Sequence, residues 1–193
     1  MKVTVDFLKE WGACEDGIFL FTEIYPTGEA DLLEVLTYKS ENEKQNDIRD
    51  YQNWIIRSLI KKNLPIPEGV TEVCSLNLEY YKHPLPNSIT ETGNLYLVGY
   101  RLPLPNSITK TSYLCLKGYK FPLPNSIVET DSISLEGYGF PLPDSIKKTS
   151  YLYLYGYGFP LPDSIKETGL LFIYGYEFPL PEHLKQFVKE LNQ

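Results

Sequence analysis

A chain of 193 residues with 42% apolar and 22% charged side chains has an ordinary globular composition and is long enough for one sizeable domain or two small ones. Its formal charge of −7 argues against a nucleic-acid backbone or an anionic membrane as the main partner, since both are bound by basic surfaces. No apolar run approaches the ~20 residues of a membrane helix, Met1–Asp6 carry no apolar leader, and three cysteines (Cys14, Cys74, Cys115) suit a reducing compartment, so a cytoplasmic protein is expected.

Residues 1–64 read as a helical domain. Thr4 is placed to cap a helix running to Trp11 and ended by Gly12. Ala13 to Tyr25 predicts a second helix, and Glu29 to Tyr38 a third. Ser40 to Asn46 reads as a polar loop, and Asp47 as the cap of a fourth helix with Ile48, Tyr51, Ile55 and Leu59 on one face. These helices are expected to cover the first turn of the region beginning at residue 65, shielding an open sheet edge.

From residue 65 the chain repeats. A Pro-x-Pro begins at Pro65, Pro84, Pro103, Pro122, Pro141, Pro160 and Pro179, each step 19 residues without insertion or deletion. Counted from the first proline, the consensus is P-L-P-[N/D]-S-I-x-x-T-x-x-L-x-L-x-G-Y-x-F. Leu or Ile at positions 12 and 14, between variable residues, predicts a short strand with one buried face. The glycine of position 16 ends the strand. The prolines remove two amide donors, so they belong in the return arc. Asn or Asp followed by Ser is turn chemistry. The Ile, Thr and Phe of positions 6, 9 and 19, such as Ile146, Thr149 and Phe159, are expected to point inward. One unit cannot bury its apolar face alone, so the units must stack.

After the last Pro-x-Pro, Leu184, Phe187, Val188 and Leu191 stand at helical spacing and predict an amphipathic helix over 182–193 that closes the final coil. The expected fold class is therefore α+β: a helical N-terminal cap (1–64), a parallel β solenoid (65–181) and a C-terminal capping helix.

Positions 9 to 19, T-x-x-L-x-L-x-x-Y-x-F, resemble the leucine-rich-repeat core L-x-x-L-x-L-x-x-N-x-L. Runs such as Leu85-Pro86-Asn87-Ser88-Ile89 resemble the short bacterial and phage repeats of that kind and the FNIP-type repeats. Phe7-Leu8-Lys9-Glu10, Gly12 to Gly17 and Trp54 are similar to the leader of some bacterial and phage repeat proteins. The resemblance implies a solenoid that binds proteins on its sheet face. Two departures stand out. The period is below the ~20–29 residues usual for such repeats. The ladder asparagine is replaced by Tyr81, Tyr100, Tyr119, Tyr138, Tyr157 and Tyr176. A phenol is not expected to serve the backbone as a buried amide does. These rings read as a column packed edge to edge with hydroxyls near solvent, the alternative being a ligand-binding row.

Catalytic chemistry finds little support. His83 and His183 are about five repeats apart, too far to share a metal, and Cys74 and Cys115 stand two repeats apart, too far for a disulfide. Cys14 is expected to be a buried structural thiol. No nucleotide, zinc-protease or nucleophile-elbow motif is present, and neither an enzyme activity nor a cofactor is expected.

The informative surface is the outward side of the strands, positions 11, 13 and 15. There Tyr151, Tyr153, Tyr155, Leu170, Phe172 and Tyr174 adjoin, with Tyr96 and Tyr113 further along. A contiguous apolar patch marks an interaction site, and tyrosine is a frequent binding hot spot. The leading expectation is a non-enzymatic module that binds a protein partner through this patch. Self-association and intramolecular cover are the alternatives. A second function class is a phage-type inhibitor of a host defence or nucleic-acid enzyme, acting by contact or acidic mimicry. Residues 1–64 hold 8 basic and 12 acidic side chains and residues 65–193 hold 10 and 13, so the acid is diffuse, which weakens mimicry. Carbohydrate binding on the aromatic row is a minor reading, for want of a leader and of carboxylates beside Tyr151, Tyr153 and Tyr155.

Overall fold

The computed structural model describes residues 1–40 and 45–190, so Glu41 to Lys44 of the expected polar loop and Leu191 lie outside the described residues. The chain divides into two compact units, Met1–Val70 and Thr71–Gln193.

The first unit has four helices, as the periodicity predicts: α1 (Val5–Glu10), α2 (Glu15–Ile24), α3 (Leu32–Thr37) and α4 (Gln45–Lys61), the last already helical at Gln45, so that Asp47 lies within its first turn instead of capping it. Thr4 Oγ1 accepts from the Phe7 amide at 3.1 Å, and Gly12 leaves α1 with φ +80°. Two short strands were not expected. β1 (Lys2–Thr4) pairs antiparallel with β2 (Glu29–Asp31), setting Val3 opposite Ala30. β2 takes the first turn of the expected third helix, and Asp31 then caps α3 by accepting from the Leu33 amide. Cys14 is exposed, contrary to its expected burial, because its sulfur accepts from the Gly17 amide at 3.4 Å at the start of α2. Gln52 of α4 donates to the Val35 and Tyr38 carbonyls at 2.9 and 2.8 Å, satisfying the end of α3. Val3, Leu8, Phe21, Ile55 and Leu59 form the core of this unit.

The second unit is a parallel β-solenoid of about six turns. Its strands are β3 (Glu72–Asn77), β4 (Glu91–Tyr96), β5 (Lys110–Cys115), β6 (Glu129–Ser134), β7 (Lys148–Tyr155), β8 (Glu167–Tyr174) and β9 (Val188–Glu190), and each pairs with its neighbours in chain order. The integral period fixes the register, so Leu76, Leu95, Leu114, Ile133, Leu152 and Leu171 form one buried column. Lys148 to Glu167 at 2.6 Å and Lys117 to Glu136 at 2.8 Å span adjacent turns on the surface. Such exposed pairs contribute little to stability.

Each strand departs from simple alternation at one place. Position 9 is buried, positions 10 and 11 both face away from the core, and burial resumes at 12, with position 10 skipped in the pairing. The threonine hydroxyl covers this break. Thr149 Oγ1 donates to the Asp131 carbonyl of the previous turn at 3.0 Å and lies 3.1 Å from the Tyr151 carbonyl, while its methyl packs inward. Thr92 Oγ1 is buried with no partner, and the preceding turn carries Val73 in the same column. Thr149→Val should therefore cost about 1–2 kcal/mol, while Thr92→Val should be neutral or stabilising by up to about 1 kcal/mol. Urea midpoints of the two variants check this, and equal losses would contradict it.

The core is completed by Ile89, Ile108, Ile127, Ile146 and Ile165 and by the Pro-Leu-Pro leucines Leu85, Leu104, Leu123, Leu142 and Leu161. The position-19 phenylalanines are not inside as expected. Phe140 and Phe159 are half-buried and Phe178 is exposed, each with its ring centroid 5.9 Å from the preceding tyrosine, over which it forms a lid. The strand-ending glycines adopt φ between 58° and 71°, and a Cβ would meet open space at Gly99, Gly118, Gly137 and Gly156 and only ordinary contact at Gly175, so conformation rather than crowding selects them. Tyr80 holds that position in the first turn at φ 63°.

The tyrosine column overturns the expectation most clearly. Tyr138 Oη accepts from the Leu123 amide at 2.9 Å and donates to the Phe121 carbonyl at 3.2 Å. Tyr157 does the same with Leu142 and Phe140, and Tyr119 with Leu104 and Leu102. Within Pro-Leu-Pro only the leucine retains an amide donor, that donor is buried, and the phenol fifteen residues further on in the same unit takes it. The phenol thus serves the backbone after all. The hydroxyls are buried rather than near solvent, and the rings stack nearly parallel, 7–18° apart at centroid distances of 6.3–6.5 Å, instead of edge to edge. Burial pushes the Tyr100 and Tyr138 phenols up to about 12, against a partial lowering by the leucine amides.

At the C-terminus the expected amphipathic helix is a 3-10 segment, Glu182–Phe187, followed by β9, which pairs parallel with β8. Repeat phase overrides helical spacing there. Leu184 falls in the isoleucine column and is fully buried. His183 takes the serine position, its Nε2 2.8 Å from the Ile165 carbonyl where Ser164 Oγ meets the Ile146 carbonyl at 3.1 Å.

Candidate functional site

The outward face of the sheet places all eight aromatic and apolar candidates on one side but divides them into two clusters. Position 11, 13 and 15 residues of successive turns stand side by side, Tyr151 opposite Leu170, Tyr153 opposite Phe172 and Tyr155 opposite Tyr174. The register thus converts a sequence offset of 19 into lateral contact. Tyr153 and Phe172 stack at 4.7 Å with planes 4° apart, and Tyr153 stacks on Tyr155 at 6.2 Å. Tyr151 is 43% and Tyr174 53% exposed, with the other four half-buried against one another. β7 and β8 are also two residues longer than the strands before them, which extends the flat surface.

The second cluster is Tyr96 on β4 and Tyr113 on β5, whose rings meet edge to face at 5.5 Å. Burial and the Cys115 thiol raise the Tyr113 phenol above its usual range, against a hydrogen bond with Ser134. Between the clusters runs β6, whose outward side chains Ser132 and Ser134, with Glu136 just past its end, make a polar strip two strand spacings across, about 10 Å. On the far side, Lys189 of β9 lies opposite Phe172 and borders the patch with positive charge.

One feature of this face was missed from the sequence. A hollow of about 450 Å³ lies between Glu136, Tyr155, Gly156, Tyr174 and Gly175, where the glycines leave space beside two phenols. It sets a carboxylate beside Tyr155, contrary to the expectation of none. Glu136 and Tyr155 share repeat position 15, so the repeat phase carried that signal.

Among the described residues no group of three or more His, Cys, Asp or Glu side chains is arranged to hold a metal ion, and no disulfide joins any of the three cysteines. No helix among them is long and apolar enough to cross a membrane. No protein-family model, curated protein or solved structure matches this chain.

Proposed function

We propose that this chain is a non-enzymatic protein-binding module, a solenoid of the leucine-rich-repeat-like kind whose partner docks on the aromatic sheet face of β7 and β8. The observation that carries the reading is the contiguous, partly exposed patch of Tyr151, Tyr153, Tyr155, Leu170, Phe172 and Tyr174 on two paired strands. Rings already stacked against one another lose little side-chain freedom on binding, which favours affinity. Amphipathic tyrosines supply apolar contact and hydroxyl hydrogen bonds from one side chain. Tyr96 and Tyr113 form a second contact area across the β6 serine strip.

The test compares the wild-type chain with Tyr153→Ser/Phe172→Ser as affinity baits in extract of the native cell or its host. Both substitutions lie on the outer face, so the variant should stay folded, with circular dichroism unchanged and a stability loss of about 1–3 kcal/mol from the lost ring pair. Partners identified by mass spectrometry on the wild type should be lost from the variant by at least tenfold, about 1.4 kcal/mol of binding. Identical capture profiles would sink the patch as a binding site. Sedimentation of both forms separates a foreign partner from self-association, since a homodimer across this face would make the wild-type mass concentration-dependent and the variant monomeric.

A further inference from the structure

A groove of about 1020 Å³ crosses the return arcs of the second unit, from the arc of Pro84 to that of Pro160. It is built from repeat positions 1 to 4, whereas the aromatic sheet face is built from positions 11 to 15. Successive Pro-Leu-Pro arcs floor it, and Asn106, Asn125 and Asp144 stand along one wall. Position 18, two residues before each first proline, runs beside the other wall. Neighbouring turns are one strand spacing apart, about 4.8 Å.

Lys148 with Glu167 and Lys117 with Glu136 set opposite charges on neighbouring turns. Position 18 instead sets two cations side by side, Arg101 and Lys120, then Gly139 and Gly158, then Glu177, all of them exposed. Like charges on adjacent strands repel, so this order does not serve the turns themselves. Nor does the fold demand the glycines, since neither has a positive φ and a Cβ on either would meet open space. Asp144 and Asp163 on the other wall are each followed three residues later by a lysine, Lys147 and Lys166, so the polarity along the groove is carried by position 18. Taken in reverse, this row complements itself. Arg101 meets Glu177, Lys120 meets Gly158 and Gly139 meets Gly139, so charge faces charge and bulk faces space. The next position behaves alike, exchanging Leu102 with Phe178, which is 38% exposed where Phe140 and Phe159 are half-buried.

We propose that this face joins two antiparallel copies of the chain about a twofold axis at the turn of Gly139 to Pro141. Each copy sets Arg101 against Glu177 of the other and Lys120 in the space at Gly158 of the other. Phe178 lies over Leu102 of the other copy. A twofold contact requires a surface that complements itself, and it closes at two copies. Pitch selects the same occupant. A second solenoid repeats every ~4.8 Å, so its proline ridges stay in step with these along the whole groove. An α-helix, with a pitch of ~5.4 Å, drifts by about 2 Å over four turns. The groove is separate from the patch on β7 and β8, and neither reading depends on the other.

The test is sedimentation equilibrium of the full chain. The wild-type mass should rise from one chain toward two between about 10 μM and about 1 mM, with a Kd on the order of 100 μM, and the association should weaken as salt rises. Arg101→Glu and Glu177→Arg should each weaken it about tenfold or more. Both side chains already occur at that repeat position, so circular dichroism should not change. An equal mixture of the two variants should regain the wild-type association, because each contact then again joins opposite charges. Gly158→Lys, which puts a cation where Lys120 of the other copy sits, should weaken it by a similar factor. A wild-type chain that stays monomeric at ~1 mM, a dimer that survives Arg101→Glu, or a mixture that fails to regain the dimer overturns the proposal. Tyr153→Ser/Phe172→Ser should associate as the wild type does. Loss of the dimer in that variant, with Arg101→Glu unaffected, would place self-association on the sheet face and overturn the groove interface.

Discussion

Tyr138→Phe is expected to lower stability by about 2–4 kcal/mol, although it removes a single oxygen and keeps the stacked ring. The Tyr138 hydroxyl is the acceptor for the Leu123 amide and a donor to the Phe121 carbonyl. Phe leaves the amide buried without a partner, a cost of about 1–3 kcal/mol, and loses a second bond of about 1 kcal/mol. The flanking prolines give the Pro-Leu-Pro arc no other donor with which to rearrange, and Leu123 itself is buried. Position along the solenoid modulates the effect. Turns interact only with their neighbours, so a break in the middle uncouples the two halves, whereas one at the end frays the last turn. Tyr176→Phe, at a half-buried tyrosine that accepts from the Leu161 amide, should accordingly cost less than Tyr138→Phe. Tyr153→Phe on the outer face should change stability by less than about 0.5 kcal/mol. Urea unfolding of the three variants checks the order. A Tyr138→Phe midpoint no lower than that of Tyr153→Phe would show that the column is held by ring packing alone.

How much of the structure is legible in the sequence depends on what a repeat encodes. A period of 19 without insertions places like residues side by side, so the strand columns, the parallel pairing and the face carrying Tyr153 and Phe172 can all be read by counting. Counting does not reveal bonds whose two ends lie at different repeat positions. The link from Tyr138 back to Leu123 is of that kind, and only a donor inventory of Pro-Leu-Pro exposes it. Local patterns compete with repeat phase at the C-terminus. Leu184, Phe187 and Val188 have helical spacing, yet burying Leu184 in the isoleucine column sets the segment and leaves Val188 to extend the sheet. In the first unit, β1 and β2 are three residues each, too short to show alternation. Cys14 departs from its expected burial because a cysteine at the start of a helix can cap it through sulfur and so remain exposed.

The same column should make the protein sensitive to alkali in one cooperative step. Tyr100, Tyr119, Tyr138 and Tyr157 are almost wholly buried, and burial raises all four phenols, Tyr100 and Tyr138 to about 12 and the other two further. In the unfolded chain a tyrosine ionises near its unperturbed value of about 10. Because the folded values are raised, this contribution to stability is fully present below pH ~10 and is lost as pH climbs toward the folded values, the unfolded state releasing protons that the folded state keeps. Each group removes about 1.4 kcal/mol per pH unit in that window, so four remove on the order of 5 kcal/mol per unit, comparable with the whole stability of a typical domain. The solenoid should therefore unfold at roughly pH 11, before its buried tyrosines ionise in place. Phenolate absorbance from the column should rise together with the loss of the β-sheet circular dichroism signal. Tyr138→Phe should make the dependence of stability on pH shallower by one tyrosine's share, even though its stability at neutral pH is lower. A gradual phenolate titration with the sheet signal intact to pH ~12 would show that water reaches these hydroxyls and that the column is not the sealed seam its hydrogen bonds describe.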